Sequence, residues 1–566
     1  MWEQNGHTLP GVNLDKLSVD QAFLNISSHL SHRLWMYSLS EDCVRCPFTR
    51  SRDIAPHSHA LMKFDAARQV AWKFFDKDLG PYAFNNVTSF CSIIPNDVGM
   101  FGVYNIDITD ENCNYEVTLQ PVNVYLSLLY ALLILAFALL IIYGSNRYYT
   151  RNQRSRQTTS PETNPESDEE KPKTAKPRLR SLDTFRGAAI VLMIFVNSGG
   201  GHYWWMEHST WNGLHVADLV FPWFLWIMGV CIPISIKSQI ARNTNKKEII
   251  LTIFVRSIKL FLIGLCLNTA KGPHIEEIRI MGVLQRFGIA YFVVATIHVL
   301  CLRPMTLPNG KLKRALYDIY LLTFQWIAIS CITCIHLVLV FGLDVPGCPR
   351  GYLGPGGKQD SAKHTHCIGG ATGYIDRMIL GEKHIYQRPT ARSTYDATPF
   401  DPEGLFGCLT TFLQVFIGLQ CGTTLMVFTE WKARCRRFLL WSLVLGLLSG
   451  ILCGFSQDDG IIPINKNLWS LSFVFGTSSL AFVLLTIFYI VIDVRNLWSG
   501  TPLVYAGMNA IIMYVGHEVF HHMLPWHWRI GPMNTHFVLL LENMWNASLW
   551  VVIAYVLYCK KIFVSV

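Results

Sequence analysis

The sequence predicts a polytopic α-helical membrane protein of about 11 transmembrane helices with a small N-terminal luminal β domain. Three observations carry this reading. The chain has 566 residues, is 51% hydrophobic and only 15% charged, and its apolar residues gather in separate runs of about 20, the length that crosses a hydrocarbon core about 30 Å thick. Lys and Arg give a formal net charge of +9 but sit in short clusters beside those runs, which is the bias that orients membrane helices and not a nucleic-acid footprint. The first 120 residues show short alternating stretches broken by Gly, Pro and Asn, which argue for half-buried strands.

Taken in order, residues 1–120 form the luminal, glycosylated β domain, with Val103-Tyr104-Asn105-Ile106-Asp107-Ile108 as its clearest alternating stretch. The sequons at Asn25 and Asn86 and the cysteines Cys43, Cys46, Cys91 and Cys113 suit an oxidising lumen. Cys43-x-x-Cys46 reads as a disulfide staple, since zinc or redox chemistry needs a second paired motif or a fold context; no metal site is expected. Trp2–Asp20 has no apolar core of a signal peptide, so targeting rests on an incomplete N-terminus or on the first membrane helix. That helix lies within residues 121–144, and Arg147, Arg151, Arg154 and Arg156 after it place the next loop in the cytosol. Residues 145–180, rich in Pro, Ser, Glu and Lys, read as a disordered cytosolic linker.

Residues 181–566 form a ten-helix membrane domain, with helices near 183–200, 214–235, 250–268, 281–302, 318–341, 404–428, 436–454, 468–491, 502–520 and 543–559. Its basic connections at Lys237–Lys247, Arg303–Arg314, Lys432–Arg437 and Lys560-Lys561 then share one side with the linker. The loop around His208, the long loop 344–402, Gln457–Asn467 and His521–Met544 fall on the luminal side. Cys348 and Cys367 are the only cysteines of the long loop and read as a disulfide. A sequon at Asn546 lies too close to the bilayer to be used.

The chemistry concentrates between Ser181 and Trp223, a membrane hairpin whose turn holds Asn197, three glycines (Gly199, Gly200, Gly201) and an aromatic loop around His208. The glycines let backbone approach a ligand closely. Trp204, Trp205 and Trp211 offer surfaces that stack on sugar, although aromatics at a bilayer edge equally serve as anchors. The segments SLDTFRG, FVNSGGG, HSTWNGL and VADLVFPWF, followed by IPINKNLWSLSFV and GMNAIIMYVGHEVF, resemble the heparan-alpha-glucosaminide N-acetyltransferase family, and the similarity runs over nearly the whole chain. The resemblance implies a lysosomal multi-pass membrane enzyme that passes an acetyl group from acetyl-CoA to the terminal glucosamine of heparan sulfate. It also implies that His208 and Asn197 match the family's catalytic pair, with His208 as base and the Asn197 amide as donor to the developing oxyanion.

Ionisable residues inside membrane helices are functional or paired. Asp183 and Arg186 stand three apart and pair on one helix face. Asp218, His517 and Glu518 are expected to assist at the substrate, while Arg286 either binds cofactor phosphate or holds Asp218. Asp183 and Asn197 are separated by about 21 Å along a helix, a span for an extended thioester cofactor whose phosphates would lie near Arg180, Arg186, Arg256 or Lys259. In a lumen near pH 5 an ordinary histidine would be roughly 97% protonated, so the base needs a sheltered site. Two routes stay open: direct transfer, or an acetylated His208 that the sugar amine then attacks. A transporter and an O-acyltransferase of another glycan remain rival readings, and a homo-oligomer is compatible with the sequence.

Overall fold

The computed structural model describes residues 13–157 and 179–564, apart from residues 85, 271, 273, 304–313 and 315. The alternating N-terminal stretches become nine strands: β1 Gln21–Ser28, β2 Leu34–Ser40, β3 Phe48–Ile54, β4 His59–Asp65, β5 Val70–Phe75, β6 Tyr82–Ala83, β7 Cys91–Ile93, β8 Val103–Ile108 and β9 Cys113–Leu119. They build a four-stranded sheet in the order β4-β1-β8-β9 and a five-stranded sheet in the order β6-β3-β2-β5-β7. β1 and β8 pair in parallel, with Leu24 opposite Tyr104 and Ile26 opposite Ile106. Side chains alternate across a strand, so these four residues meet Met36, Trp72 and Phe74 of the second sheet in one buried core. Disulfide Cys43–Cys46 closes a turn after β2, and Cys91–Cys113 joins β7 of one sheet to β9 of the other. Asn86 is exposed in a turn, whereas Asn25 is half-buried in β1 and donates to Asn105 Oδ1 at 2.8 Å.

A helix stands at each of the eleven expected positions: α1 Tyr125–Gln157, α2 Arg180–Asn197, α3 Val216–Ile240, α4 Lys246–Asn268, α5 Val283–Leu300, α6 Thr323–Gly342, then, after α7 Gly370–Leu380 in the long loop, α8 Cys408–Val427, α9 Trp431–Leu452, α10 Leu471–Phe488, the pair α11 Leu503–Met508 and α12 Ala510–Val519, and α13 His536–Cys559. Among the described residues eight helices are long and apolar enough to cross a membrane, namely α3–α6, α8–α10 and α13. The chain is thus a polytopic membrane protein with an N-terminal β domain. The apolar part of α1, Tyr125–Ile141, is shorter, and α2 opens with Arg180, Asp183 and Arg186.

Several boundaries differ from expectation for local reasons. α1 continues to Gln157, into the stretch read as linker, because polar helix formers carry it beyond its apolar run; the rest of that linker, 158–178, lies outside the described residues. The helix expected at 502–520 breaks at Asn509, whose side chain donates to the Ile562 carbonyl at 3.1 Å and accepts the Val564 N–H at 3.2 Å. α13 begins at His536, so the last nine residues of the segment His521–Met544, assigned to a luminal loop, are helical. The FDPEG segment stays outside α8, with Asp401 and Glu403 in ionic contacts.

α8 is the axis of the bundle, with 94% of its apolar window buried. It packs on α3 backbone to backbone: a Cβ on Gly229 would overlap the Val415 carbonyl, and one on Gly418 the Trp226 carbonyl. Small residues at such crossings let membrane helices approach closely. The β domain docks on this bundle through Arg45–Asp459 at 2.9 Å and through Tyr395, which donates its hydroxyl to the Asp42 carbonyl at 3.0 Å.

Candidate active site

α2 ends at Asn197, and the following turn needs left-handed backbone at Gly199, Gly200 and Gly201, with φ of +118°, +56° and +73°. Only glycine takes three such values in succession without strain. The turn wraps a side chain of the protein itself: Gly201 N–H donates to Asn543 Oδ1 at 2.7 Å, and Asn543 Nδ2 donates to the Ser198 carbonyl at 2.8 Å. Close approach of the glycines to a ligand is therefore replaced by close approach to α13. His536 lies 2.8 Å from the Gly201 carbonyl through Nδ1 and 2.7 Å from Asp20 Oδ1 through Nε2. It bolts the β domain to the glycine turn.

Beyond this turn the loop returns to α3, whose first turn is capped by Asp218: the carboxylate accepts the His215 backbone N–H at 3.0 Å and the Ser209 N–H at 3.2 Å through Oδ2. Its other oxygen, Oδ1, lies 2.8 Å from His208 Nδ1. Asp218, expected at the substrate, is 0% exposed, with its two oxygens turned to His208 and to backbone N–H groups. With an acceptor-only carboxylate at Nδ1, that nitrogen carries the proton and Nε2 presents its lone pair. The His208 side chain keeps 35% of its surface accessible.

Lys466, from the loop between α9 and α10, completes the group. Its Nζ lies 3.1 Å from Nδ1 and 3.2 Å from Nε2 of His208. Burial lowers the His208 pKa below its ordinary value and the Lys466 ammonium lowers it further, against the opposing pull of Asp218 and Glu403. The imidazole is thereby held neutral into more acidic solution than a free histidine. Glu403 itself is paired with Arg279 at 2.6 Å, and although burial works the other way, Arg279, Lys466 and Arg286 hold its carboxyl at about 2. Arg279 also binds Asp401 through two nitrogens, at 2.9 and 2.6 Å.

Asn197 donates from Nδ2 to His517 Nε2 at 3.0 Å and reaches Glu518 Oε1 at 3.4 Å. His517 is fixed by Nδ1, which donates to the Met513 carbonyl at 3.1 Å. Tyr514, three residues earlier on α12, packs its ring against His517 with centroids 5.4 Å apart.

Tyr514 also lines a cavity of ≈ 260 Å³ between α2, α3, α4, α5 and α12. Its walls are mostly apolar, among them Ile190, Met193, Phe224, Ile227, Leu260 and Phe287, and its charged lining consists of Arg186 and Arg256 with no acidic residue. Arg186 donates to Cys231 Sγ at 3.1 Å and to the Gly507 carbonyl at 3.4 Å, and it pairs with Asp183 at 3.5 Å. Arg256 stands over the Tyr291 ring at 4.8 Å. Arg180 and Lys259 are not part of this lining; Arg180 and Ser181 instead donate backbone N–H groups to Asp493 at 3.2 and 3.1 Å. The Arg286 guanidinium, 1% exposed, meets the Gly404 carbonyl rather than Asp218, donating to it at 2.7 Å, and lies over Trp469 at 4.9 Å.

The tryptophans separate. Trp211 is buried, packs on Phe400 and donates its indole N–H to the Leu353 carbonyl at 2.9 Å, so it ties the His208 loop to the long loop and presents no face to sugar. Trp205 packs on Tyr203. Trp204 keeps an exposed surface, with the Arg68 guanidinium 3.5 Å from its ring centroid. In the long loop Cys348 and Cys367 form a disulfide. Lys466, Glu403 and Tyr514 escaped the sequence reading; the one signal for Lys466 was a cation in a loop assigned to the side that basic residues avoid.

Comparison with known proteins bears on the whole chain. A family model described as a domain of unknown function (DUF5009) matches residues 178–275. Heparan-alpha-glucosaminide N-acetyltransferase of Mus musculus is 40% identical over 589 aligned residues, which cover 97% of this chain and 89% of that protein. The protein of the same name from Homo sapiens is 38% identical over 615 aligned residues, covering 99% of this chain and 91% of its own length. With the hairpin, its histidine and the apolar bundle all inside that alignment, the chain belongs to the heparan-alpha-glucosaminide N-acetyltransferase family.

Proposed function

We propose that this N-acetyltransferase passes an acetyl group from cytosolic acetyl-CoA to the terminal non-reducing alpha-glucosamine of heparan sulfate, in a lysosomal membrane crossed eleven times with the β domain in the lumen. The observation that carries the reading is the Asp218–His208 pair in the hairpin turn, which leaves a neutral, partly accessible imidazole whose Nε2 lone pair has Lys466 Nζ beside it at 3.2 Å. In this reading Nε2 takes the amine proton of the sugar, and Asp218 stabilises the imidazolium that results. Asn197 serves as an amide donor to the acetyl oxygen, for which one N–H exchanges His517 Nε2 for that oxygen.

The cavity fits the cosubstrate by its chemistry. Apolar walls suit a slender pantetheine arm, and two guanidinium groups without a lining carboxylate suit phosphate. Arg186 and Arg256 would hold the anionic end; acetyl-CoA, when bound, supplies the activated acetyl group. Trp204, exposed on the part of its ring that Arg68 does not cover, is the stacking surface left for sugar, and Glu518, beside Asn197, is the carboxylate read as assisting at the substrate. Three disulfides agree with a luminal setting for the segments that carry them, and exposed Asn86 is the better placed glycan acceptor.

The test is transfer of labelled acetyl from acetyl-CoA to glucosamine by purified protein in detergent, parent against His208→Ala. Transfer by the parent and its loss in a folded mutant is the expected outcome. Equal transfer by both removes His208 from the chemistry, and transfer to hydroxyl-only sugars would move the reading to an O-acyltransferase.

A further inference from the structure

We propose that Lys466 is a further catalytic residue of this reaction, its ammonium donating a hydrogen bond to the acetyl oxygen as negative charge gathers there. The inference rests on the reading of the reaction given above. Lys466 is 9% exposed, and its Nζ is within 3.2 Å of both ring nitrogens of His208. Such closeness is not the accident of a mobile surface chain, because the backbone on either side is fixed. Asn465 donates to Asn212 Oδ1 at 3.0 Å and accepts the Leu468 N–H at 2.9 Å, and the Ile464 carbonyl accepts the Gly213 N–H at 2.8 Å. The same contacts join the Lys466 loop to the His208 loop.

Asp218 occupies the Nδ1 side, so an amine that gives its proton to His208 must approach Nε2. The carbonyl carbon that this amine attacks is then one bond from the amine nitrogen, and its oxygen comes beside the ammonium that already neighbours Nε2. A preorganised donor in a site shielded from water is where transition-state stabilisation is largest. Asn197 reaches the acetyl oxygen only after giving up its bond to His517, whereas Lys466 is a cation already beside the base, so the two donors act on that oxygen together.

The step balances as follows. The amine nitrogen bonds to the acetyl carbon as the carbon–sulfur bond breaks, and that electron pair leaves on sulfur. The amine proton passes to Nε2 and from there to the thiolate. Lys466 keeps all three of its protons and contributes only the hydrogen bond. The groups facing His208 are Asp218 from α3, Glu403 from the loop before α8 and Lys466 itself, so removal of Lys466 leaves two carboxylates about the imidazole.

The test uses full-length protein in detergent, with Lys466→Met and Lys466→Arg. Lys466→Met is expected to lower kcat about 10²–10³-fold with the acetyl-CoA KM unchanged, while Lys466→Arg recovers at least about a tenth of parental kcat through its retained charge. An independent readout needs no substrate: the pH midpoint for carbethoxylation of His208, followed on its peptide by mass spectrometry, moves to higher pH in Lys466→Met. Retention of kcat within about threefold in Lys466→Met, no recovery in Lys466→Arg, or an unmoved midpoint overturns the assignment. Should Lys466→Met fail to fold, Lys466→Gln replaces it under the same criteria. Absence of transfer by the parent would count against the reaction itself, and the carbethoxylation midpoint would still report on the contact.

Discussion

Asp218 Oδ1 stands 2.8 Å from His208 Nδ1 while Oδ2 is taken up by two backbone N–H groups. One carboxylate therefore caps a membrane helix and selects the tautomer of the neighbouring imidazole. Asp218→Asn keeps the size of the side chain but lets its amide face Nδ1 as a donor, which favours the opposite tautomer. We expect kcat to fall about 10²–10⁴-fold with the acetyl-CoA KM little changed. A mutant with parental kcat would separate the pair from the chemistry.

The pH profile follows from the direction of the His208 shift. Burial and Lys466 hold its pKa below the ordinary 6.5, and the protonated ring is inactive as a base. The acid limb of kcat/KM therefore lies below pH 6.5, and activity persists into acid until the lowered value is passed. Stability follows the same sign. Between the folded and unfolded values the unfolded chain binds more protons, so this residue makes stability rise with pH across that window and fall as pH drops through it. Thermal melts of parent and His208→Asn over pH 4–7 check this, and parallel curves would contradict it.

Arg186 and Arg256 are the charges of the apolar cavity. Replacing either by Gln is expected to raise the acetyl-CoA KM about tenfold, the usual size of a lost hydrogen bond to a charged group, with kcat within about threefold. Steady-state kinetics over acetyl-CoA concentration decides, and an unchanged KM in both variants would place the phosphates elsewhere.

α2 and α11 cross where Gly507 faces Asp183 so closely that a Cβ on Gly507 would overlap the Asp183 carbonyl. Gly507→Ala should force the helices apart, lower stability by about 1–3 kcal/mol and distort the cavity that Gly507 and Arg186 both line. A lower melting temperature together with a raised acetyl-CoA KM is the expected pair of changes; parental values of both would show that the crossing yields without consequence.

What the sequence disclosed was whatever is local. Apolar run length placed a helix at every expected position, and period-two alternation at Val103–Ile108 marked a strand that is β8. The His208 loop stands out because its polar residues interrupt two apolar runs, those of α2 and α3. Lys466 does not, because it is 258 residues from His208 and only the folded bundle brings them together. Asp218 was noticed as a charge, but its partner was not, since a carboxylate in a first helical turn reaches backward into the loop and not along the helix. α13 starts before the helix that hydropathy marks at 543–559 because Glu542, Asn543 and Asn546 lower its hydropathy, although all three are buried and Asn543 and Asn546 bond to the glycine turn region around Ser198. Trp211 looked like a sugar surface because an indole in a loop has the same letters whether it faces solvent or, as here, Phe400.

Asp218 belongs to the end of α3, whereas Lys466 hangs between α9 and α10, and His208 spans the gap between them. The three are brought to within hydrogen-bond distance by rods that each adjust their tilt to the hydrophobic thickness around them. Turnover is therefore expected to differ between a micelle and a sterol-rich bilayer, and equal rates in the two would show that the triad is insensitive to hydrophobic thickness.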